Sequence, residues 1–331
     1  MSDPLAYGAV MSAPTTTLAA EGARFTLTDW GLLAFAAGVW GASFLFMAIG
    51  LDAFEPGLVT FLRVGFGAAT VWAIPLHRRH VERDDWLQVT LLGVTWMAFP
   101  LTMFPIAQQW IDSSLAGMLN SAMPIATVAV TTLVFAVPTV RIRLIGVGVG
   151  LVGIVMIGVP EATTAGTTAL GILLVLLAVI SYGFAVNIAG PLQRSYGALP
   201  VIRRALLVAT VLTLPYGIID GARSSFAWDS LAACIALGAA GTGAAFVAAS
   251  ILTGRVGAVR TSIVTYLIPI VSTVLGVVFR DETVTFLAIS GTVIVLAGAW
   301  LTTLGQTPAI ESRPIDRVSV GRRRPGRDRR S

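Results

Sequence analysis

Seven stretches of this chain contain no charged residue: Trp30 to Leu51, Trp86 to Ile111, Ser113 to Val140, Ala162 to Gln193, Ser230 to Gly254, Thr261 to Phe279 and Thr283 to Ile310. A hydrocarbon core of about 30 Å takes about 20 apolar residues to cross as a helix, and these gaps have the length to do so. Only 12% of the residues are charged, against about 25% in an ordinary soluble domain. A soluble fold cannot hide so many such runs behind so little polar surface. The runs are continuous rather than alternating, which excludes the strands of a membrane barrel. The fold class read from this pattern is an all-α integral membrane protein.

Ten segments are predicted, at about 30–51, 56–76, 86–108, 114–137, 142–159, 169–190, 200–219, 229–252, 259–279 and 284–304. The seventh reaches spanning length if Arg203 and Arg204 extend to the interface. With ten spans both termini share a side, and arginine placement selects it. One set of loops and flanks holds Arg24, Arg78, Arg79, Arg83, Arg141, Arg143, Arg194, Arg203, Arg204, Arg255 and Arg260, and the other holds Arg223 and Arg280. Eleven against two puts both termini in the cytoplasm, in a multi-pass protein of the cell's inner (plasma) membrane. Trp30, Trp86, Trp110, Trp228 and Trp300 fall near segment ends, where their rings suit the headgroup region.

Residues 1–29 and 305–331 lack periodicity and are expected to be disordered cytoplasmic pieces, with 160–168 a linker between two membrane units at 30–159 and 169–304. The stretch before Trp30 has no basic region leading into an apolar core, so the first span is expected to act as an uncleaved targeting signal. The net charge of +5 comes largely from the tail "RRRPGRDRR", which leaves little support for nucleic-acid binding. The lone Cys234 allows no intrachain disulfide. His77 and His80 lie in the loop "HRRHVERDD" without a third ligand in view, so neither a metal nor a cofactor is expected. No nucleophile elbow, HExxH or phosphate loop is present, so no catalytic residue is assigned.

The chain repeats itself. Shifted by 145 residues, Pro124 falls on Pro269, Gly146 on Gly291, Gly153 on Gly298, and Leu92-Gly93 on Leu237-Gly238; near the start of each half the offset drifts to 140 and Arg63 falls on Arg203. Each half then holds five segments, and an odd number makes the second enter the membrane from the opposite side. Ten helices in two inverted five-helix repeats are the expected architecture. Two halves that can exchange conformations provide the two states a carrier needs, so transport follows as the functional expectation.

"WGASFLFMAIGL", "TFLRVGFGAA", "SSLAGMLNSAMPI" and the run "GAVRTSIVTYLIPIVSTVLGVVFRDETVTFLAISGTVIVLAGAWL" resemble the EamA family of the drug/metabolite transporter superfamily, over roughly Trp30 to Leu304. The resemblance implies cytoplasmic termini, export, and a central cavity lined mainly by the first, third, fourth, sixth, eighth and ninth spans. The chain departs from the family after the fourth span, where "VFAVPTVRIR" lacks a Gly-Glu, while the ninth keeps an acid in "RDE".

Arg63 stands well inside a span, where a charge is costly. It either meets an anionic group in the cavity, or extends to the outer interface about two turns away, or ties helices together. Asn120, Asn187 and Tyr266 are candidate substrate-binding groups, as are Trp40 and Trp96 on the cavity wall, with Phe99 beside them. Ser121, Thr242, Thr261 and Thr265 are weaker candidates, because small polar groups also join helices. Pro124 and Pro269 are expected hinges, since a proline removes a helical hydrogen bond and can kink the helix. No Asp or Glu falls deep within a span, which argues against a carboxylate proton relay. The functional reading is an exporter of a small metabolite, amino acid or drug-like solute by alternating access. Its partners are that small molecule and the lipid bilayer, with no nucleic acid. A membrane-embedded lipid-modifying enzyme and a channel-like or scaffold protein are the alternatives.

Overall fold

The computed structural model describes residues 25–75, 81–162 and 166–304, apart from the side chains of 160–162, 166, 167, 258 and 259. The expectations for the first 24 residues, the His77 and His80 loop, residues 163–165 of the expected 160–168 linker and the basic tail lie outside it, while the rest of that linker is helix, continuing the helices that end at Ala162 and begin at Gly166.

The described chain is helical throughout. The helices are α1 Leu27–Leu51, α2 Pro56–Ala73, α3 Arg83–Ala107 and a two-piece α4, Ser113–Asn120 and Met123–Leu133, bent by 42°. There follow α5 Arg141–Ala162, α6 Gly166–Tyr196, α7 Ala198–Gly221, α8 Trp228–Val256, α9 Ile263–Arg280 and α10 Phe286–Thr303. A one-turn piece, Ala258–Thr261, leads into α9. Among the described residues, nine single helices and the bent pair are long and apolar enough to cross a membrane. These are the ten expected spans.

Several ends differ from the sequence expectation. The first helix starts at Leu27, ahead of the predicted 30, because Thr26 and Asp29 form a capping box. The charge of Asp29 is answered by Arg255 at the end of α8. The sixth helix runs to Tyr196 rather than 190, straight through Pro191, as membrane helices allow. The fourth stops at Leu133 rather than 137, and Ala136 follows with φ +52°, a left-handed conformation no helix continues through.

The repeat-related helices α5 and α10 lie antiparallel, and their contacts are reciprocal. On α5 and α10, a Cβ placed on Gly146 would sit 2.7 Å from the Gly298 carbonyl, and one on Gly291 would sit 2.8 Å from the Gly153 carbonyl. These are the residues that the 145-residue shift pairs, exchanged between the helices as a two-fold axis demands. Apolar association offers little inside lipid, so close backbone packing at such small residues holds the pair together.

In the α2 and α7 pair, the later helix caps the earlier at both ends. Asp220, 5% exposed, accepts from the Gly57 backbone N–H at 2.8 Å. At the other end Arg203 donates to the carbonyls of Val71 (2.9 Å), Trp72 (3.3 Å) and Ile74 (2.7 Å) and stacks over the Trp72 ring. An acid at the N-terminus and a cation at the C-terminus both complement the helix dipole. The expected extension of Arg203 to the interface therefore ends on a neighbouring helix.

Both α3 and α8 open into a π-helical segment at matching places, Gly93–Ala98 and Ala236–Ala244. Gly93 and Gly238, paired by the repeat, begin or lie within them. A Cβ on Gly93 would meet the Ala205 carbonyl at 3.0 Å on α7, and one on Gly238 the Arg63 carbonyl at 2.7 Å on α2. The outer surface carries exposed apolar side chains such as Leu144, Val155, Val211, Ile218 and Val278, which lipid would cover.

Candidate functional site

A cavity of about 440 Å³ lies among α1, α3, α4, α6, α8 and α9, with residues of α2 and α7 completing its wall. α5 and α10 take no part. The cavity reaches the surface at the end formed by Gln193, Ala198, Thr253 and Ser262. That is the end bearing Arg194, Arg203, Arg204 and Arg255. At its depth it meets Phe44, Met47 and Ile268, with Phe44 set edge-on to Phe104 at 5.6 Å.

The two pieces of α4 explain this one-sided opening. The first piece packs against the later part of α9, with Gly117 against Ser272 so closely that a Cβ there would overlap the serine hydroxyl. The second piece packs instead on α6, where a Cβ on Gly183 would lie 2.9 Å from the Ala126 carbonyl. The helices α4 and α9 therefore touch at one end and diverge at the other. Pro124 sits in the first turn after the bend and lacks the N–H that would bond the Asn120 carbonyl. α9, by contrast, is unbroken through Pro269, whose carbonyl accepts from Ser272 at 3.1 Å and Thr273 at 2.7 Å.

The closed end is fastened by polar groups. Glu282, in the "RDE" turn after α9, accepts from the Ser113 backbone N–H at 2.9 Å, the Ser113 hydroxyl at 2.7 Å and the Ser114 N–H at 2.8 Å. It thereby caps the N-terminus of α4 from another helix. Asp281 before it adopts φ +51° to make the turn. Gly276 lets the carboxylate pass, since a Cβ there would overlap Glu282. Arg280 donates two hydrogen bonds to Asp52 at 2.8 and 2.9 Å. Outside these contacts lies a polar vestibule of about 450 Å³ that includes Asp52, Glu55, Gln108, Gln109, Arg223 and Arg280. Adjacent residues of α1, Met47 and Ala48, and successive turns of α3, at Phe104 and Gln108, border first one cavity and then the other.

Trp40, Arg63, Trp96 and Asn120 come together on the inner cavity. Trp40 donates its indole N–H to the Gly241 carbonyl at 3.0 Å, and both Trp40 and Trp96 stand edge-on to Phe246, at 5.5 and 5.3 Å. Gly241 belongs to the π segment of α8, a deformation common at functional sites. In the same segment Thr242 donates to the Leu237 carbonyl at 3.3 Å and accepts from the Arg63 Nε at 3.2 Å. Arg63 is 8% exposed and its Nη1 lies 3.3 Å from the Met47 sulfur. The arginine thus turns inward and joins α2 to α8 and α1 rather than reaching the interface. Its Nη2 has no hydrogen-bond partner among the described residues.

The other candidates lie off the cavity. Asn187 donates to the Gly183 carbonyl at 2.8 Å and accepts from Thr131 at 3.0 Å, so it ties α6 to α4. Tyr266 is about 100° around α9 from Thr265; its hydroxyl is buried beside Thr303 of α10 and Ser262. Phe99 is 37% exposed and also off the cavity. Thr261 and Thr265 line it, Ser121 does not, and Thr242 stands just behind Arg63. Sequence reasoning passed over Tyr182, Phe246 and Gln193, which do line it. The criterion that singled out Trp40 and Trp96, an aromatic well inside a span, applies equally to Tyr182 and Phe246. Buried acids exist, Asp29 and Asp220, but both serve helix ends. Among the described residues no Asp or Glu lines the inner cavity.

The sequence matches the model of the EamA-like transporter family over residues 29–159 and again over 169–304. It is similar to the uncharacterized transporter YdfC of Bacillus subtilis, 23% identical over 274 residues, 81% of this chain and 88% of that protein. The uncharacterized inner membrane transporter YedA of Escherichia coli K12 is 24% identical over 278 residues, with the same coverage of each chain. One solved structure, titled only as the crystal structure of a protein, shares the fold at TM-score 0.59 and 19% identity. The match covers 84% of this chain and 97% of that one.

Proposed function

We propose, from the premise that the chain belongs to the EamA-like transporter family and is a membrane transporter, that it carries a small organic solute by alternating access. The observation that carries this reading is the contrast along α4 and α9. They are packed and pinned by Glu282 at one end and parted around a cavity at the other. Exchanging the conformations of the two inverted halves would close that mouth and open the pinned end. Trp40, Arg63, Trp96 and Asn120 form the binding surface in this reading, and Asn187 and Tyr266 act from behind it by holding α6 and α9. Pro124 and Pro269 are the places where α4 and α9 change their bend.

The arginine distribution puts the open mouth in the cytoplasm, with both termini, so the structure is an inward-open state of a protein in the inner (plasma) membrane. A cavity that loads from the cytoplasm fits export. The membrane units are 30–159 and 169–304, joined by 160–168. Proteoliposomes with and without the purified protein, loaded with a cell metabolite extract, test the reading. At least one small solute should leave faster when the protein is present. If none does, the carrier reading loses its support.

A further inference from the structure

We infer that the solute carried by this site, if transport is its work, is an organic monoanion with an apolar, ring-sized body and no cationic group. The inference rests on the cavity reading above and adds the chemical class. Arg63 is fixed in place, 92% buried by difference from its 8% exposure, with one hydrogen bond from Nε to Thr242 and one contact to the Met47 sulfur. It takes part in no salt bridge among the described residues. Neither the threonine hydroxyl nor the thioether carries charge, and among the described residues no carboxylate lines the cavity.

A guanidinium held this way in a low dielectric is an uncompensated charge, and on the cavity wall it has donors left over for whatever enters. Carboxylate or a similarly forked anion is the group whose geometry answers it. Beyond Arg63 the wall is apolar: Trp40, Trp96, Phe246, Phe44 and Phe104. A cavity of about 440 Å³ accepts a body of roughly one aromatic ring with a short chain.

The same charge balance rejects other classes. An ammonium would enter a site that already holds one cation and has no acid to meet it. A zwitterionic amino acid would gain at its carboxylate and lose at its ammonium, so it should bind less well than the same molecule without the amino group. Aromatic faces can attract cations, but Trp40 and Trp96 are turned onto Phe246 rather than arranged as an open cage.

The experiment measures binding to the full-length protein in nanodiscs through intrinsic tryptophan fluorescence, in which Trp40 and Trp96 are the two of the eight tryptophans that line the cavity and respond to an occupant. Four matched probes are used: 3-phenylpropionate, 3-phenylpropionamide, 3-phenylpropylamine and phenylalanine. The acid is expected to bind about tenfold or more tighter than the amide, the amine and phenylalanine. In Arg63→Met the acid should fall to the affinity of the amide, whose own affinity stays within about threefold. In Arg63→Lys, part of the preference for the acid should return. A purely structural arginine would lower the affinity for all four probes together, and that result would overturn the inference. Equal or tighter binding of the amine or of phenylalanine by the native protein would overturn it without any variant. Because binding is read without flux, preferred binding of the acid with no transport would leave the class standing and sink the carrier reading. Transport of a cation would do the reverse.

Discussion

Glu282→Ala removes the pin between α9 and α4 and so probes the balance between the two faces of the protein. The carboxylate accepts three hydrogen bonds, two from backbone N–H groups at a helix N-terminus. Hydrogen bonds to a charged group are worth about 1.5–3 kcal/mol, and the helix terminus adds about 0.3–1 kcal/mol. These terms overlap, so about 2–4 kcal/mol is a fair total for the site. In a state with the outer end open, Glu282 would lie in water and hold none of them. The substitution should therefore raise the outward-open population relative to the inward-open one by on the order of 30- to 1,000-fold.

Ser272, 1% exposed at the α4 and α9 seam, is the reporter. As Ser272→Cys it should react slowly with a membrane-impermeant maleimide applied from the outer face. With Glu282→Ala added, the rate should rise at least tenfold. Cys234 is fully buried and contributes little background. Glu282→Gln, which keeps the shape and loses the charge, should fall between. An unchanged reaction rate in a protein that keeps its melting temperature would refute the idea that Glu282 holds this end closed.

Further outcomes follow from particular contacts. Gly298→Leu would drive a side chain into the backbone of Gly146 and Gly150, 2.5–2.8 Å from the Cβ position. It should cost about 3 kcal/mol or more, with loss of folded protein on a thermal ramp in detergent. Gly38→Ala, where nothing lies within 4 Å of the new carbon, should leave the melting temperature unchanged or raise it. Arg203→Met strips three capped carbonyls from the end of α2 and should lower stability by about 1–3 kcal/mol; an unshifted melting temperature would mean water replaces the cap without cost. Pro269→Ala restores an N–H in the middle of α9, and Pro124→Ala one beside the α4 bend. Each should slow solute flux while membrane levels of protein stay the same.

The spans and the repeat were legible because burial in lipid leaves a coarse mark. Charge must be absent for about 20 residues, and close helix crossings need Gly at fixed places. Gly146, Gly153, Gly291 and Gly298 are visible in the sequence as a coincidence of the shift, and in space as one antiparallel seam. The role of "RDE" was not legible. A short polar turn in sequence says nothing of what it reaches, and Ser113 lies 169 residues away from Glu282. The same limit applies to Asn187 and Tyr266. Their depth could be read from the sequence, but not the face of the helix on which packing would set them. Nor could the π segments be read, since they arise from where α3 and α8 must pass α7 and α2. The matching prolines pointed to one bend in each half, yet α4 is broken and bent whereas α9 continues unbroken through its proline. A structure whose cavity opens at one end holds equivalent helices in different shapes, which a repeat in sequence cannot show.

The most direct measurement is solute flux in proteoliposomes for the pair Asp52→Cys with Arg280→Cys, bridged by a cleavable bifunctional thiol reagent. These residues already meet across the closed end, so the bridge should form without distorting the present conformation. Flux is expected to drop to the level of protein-free vesicles and to return when the bridge is cleaved. Undiminished flux through a fully bridged protein would contradict alternating access.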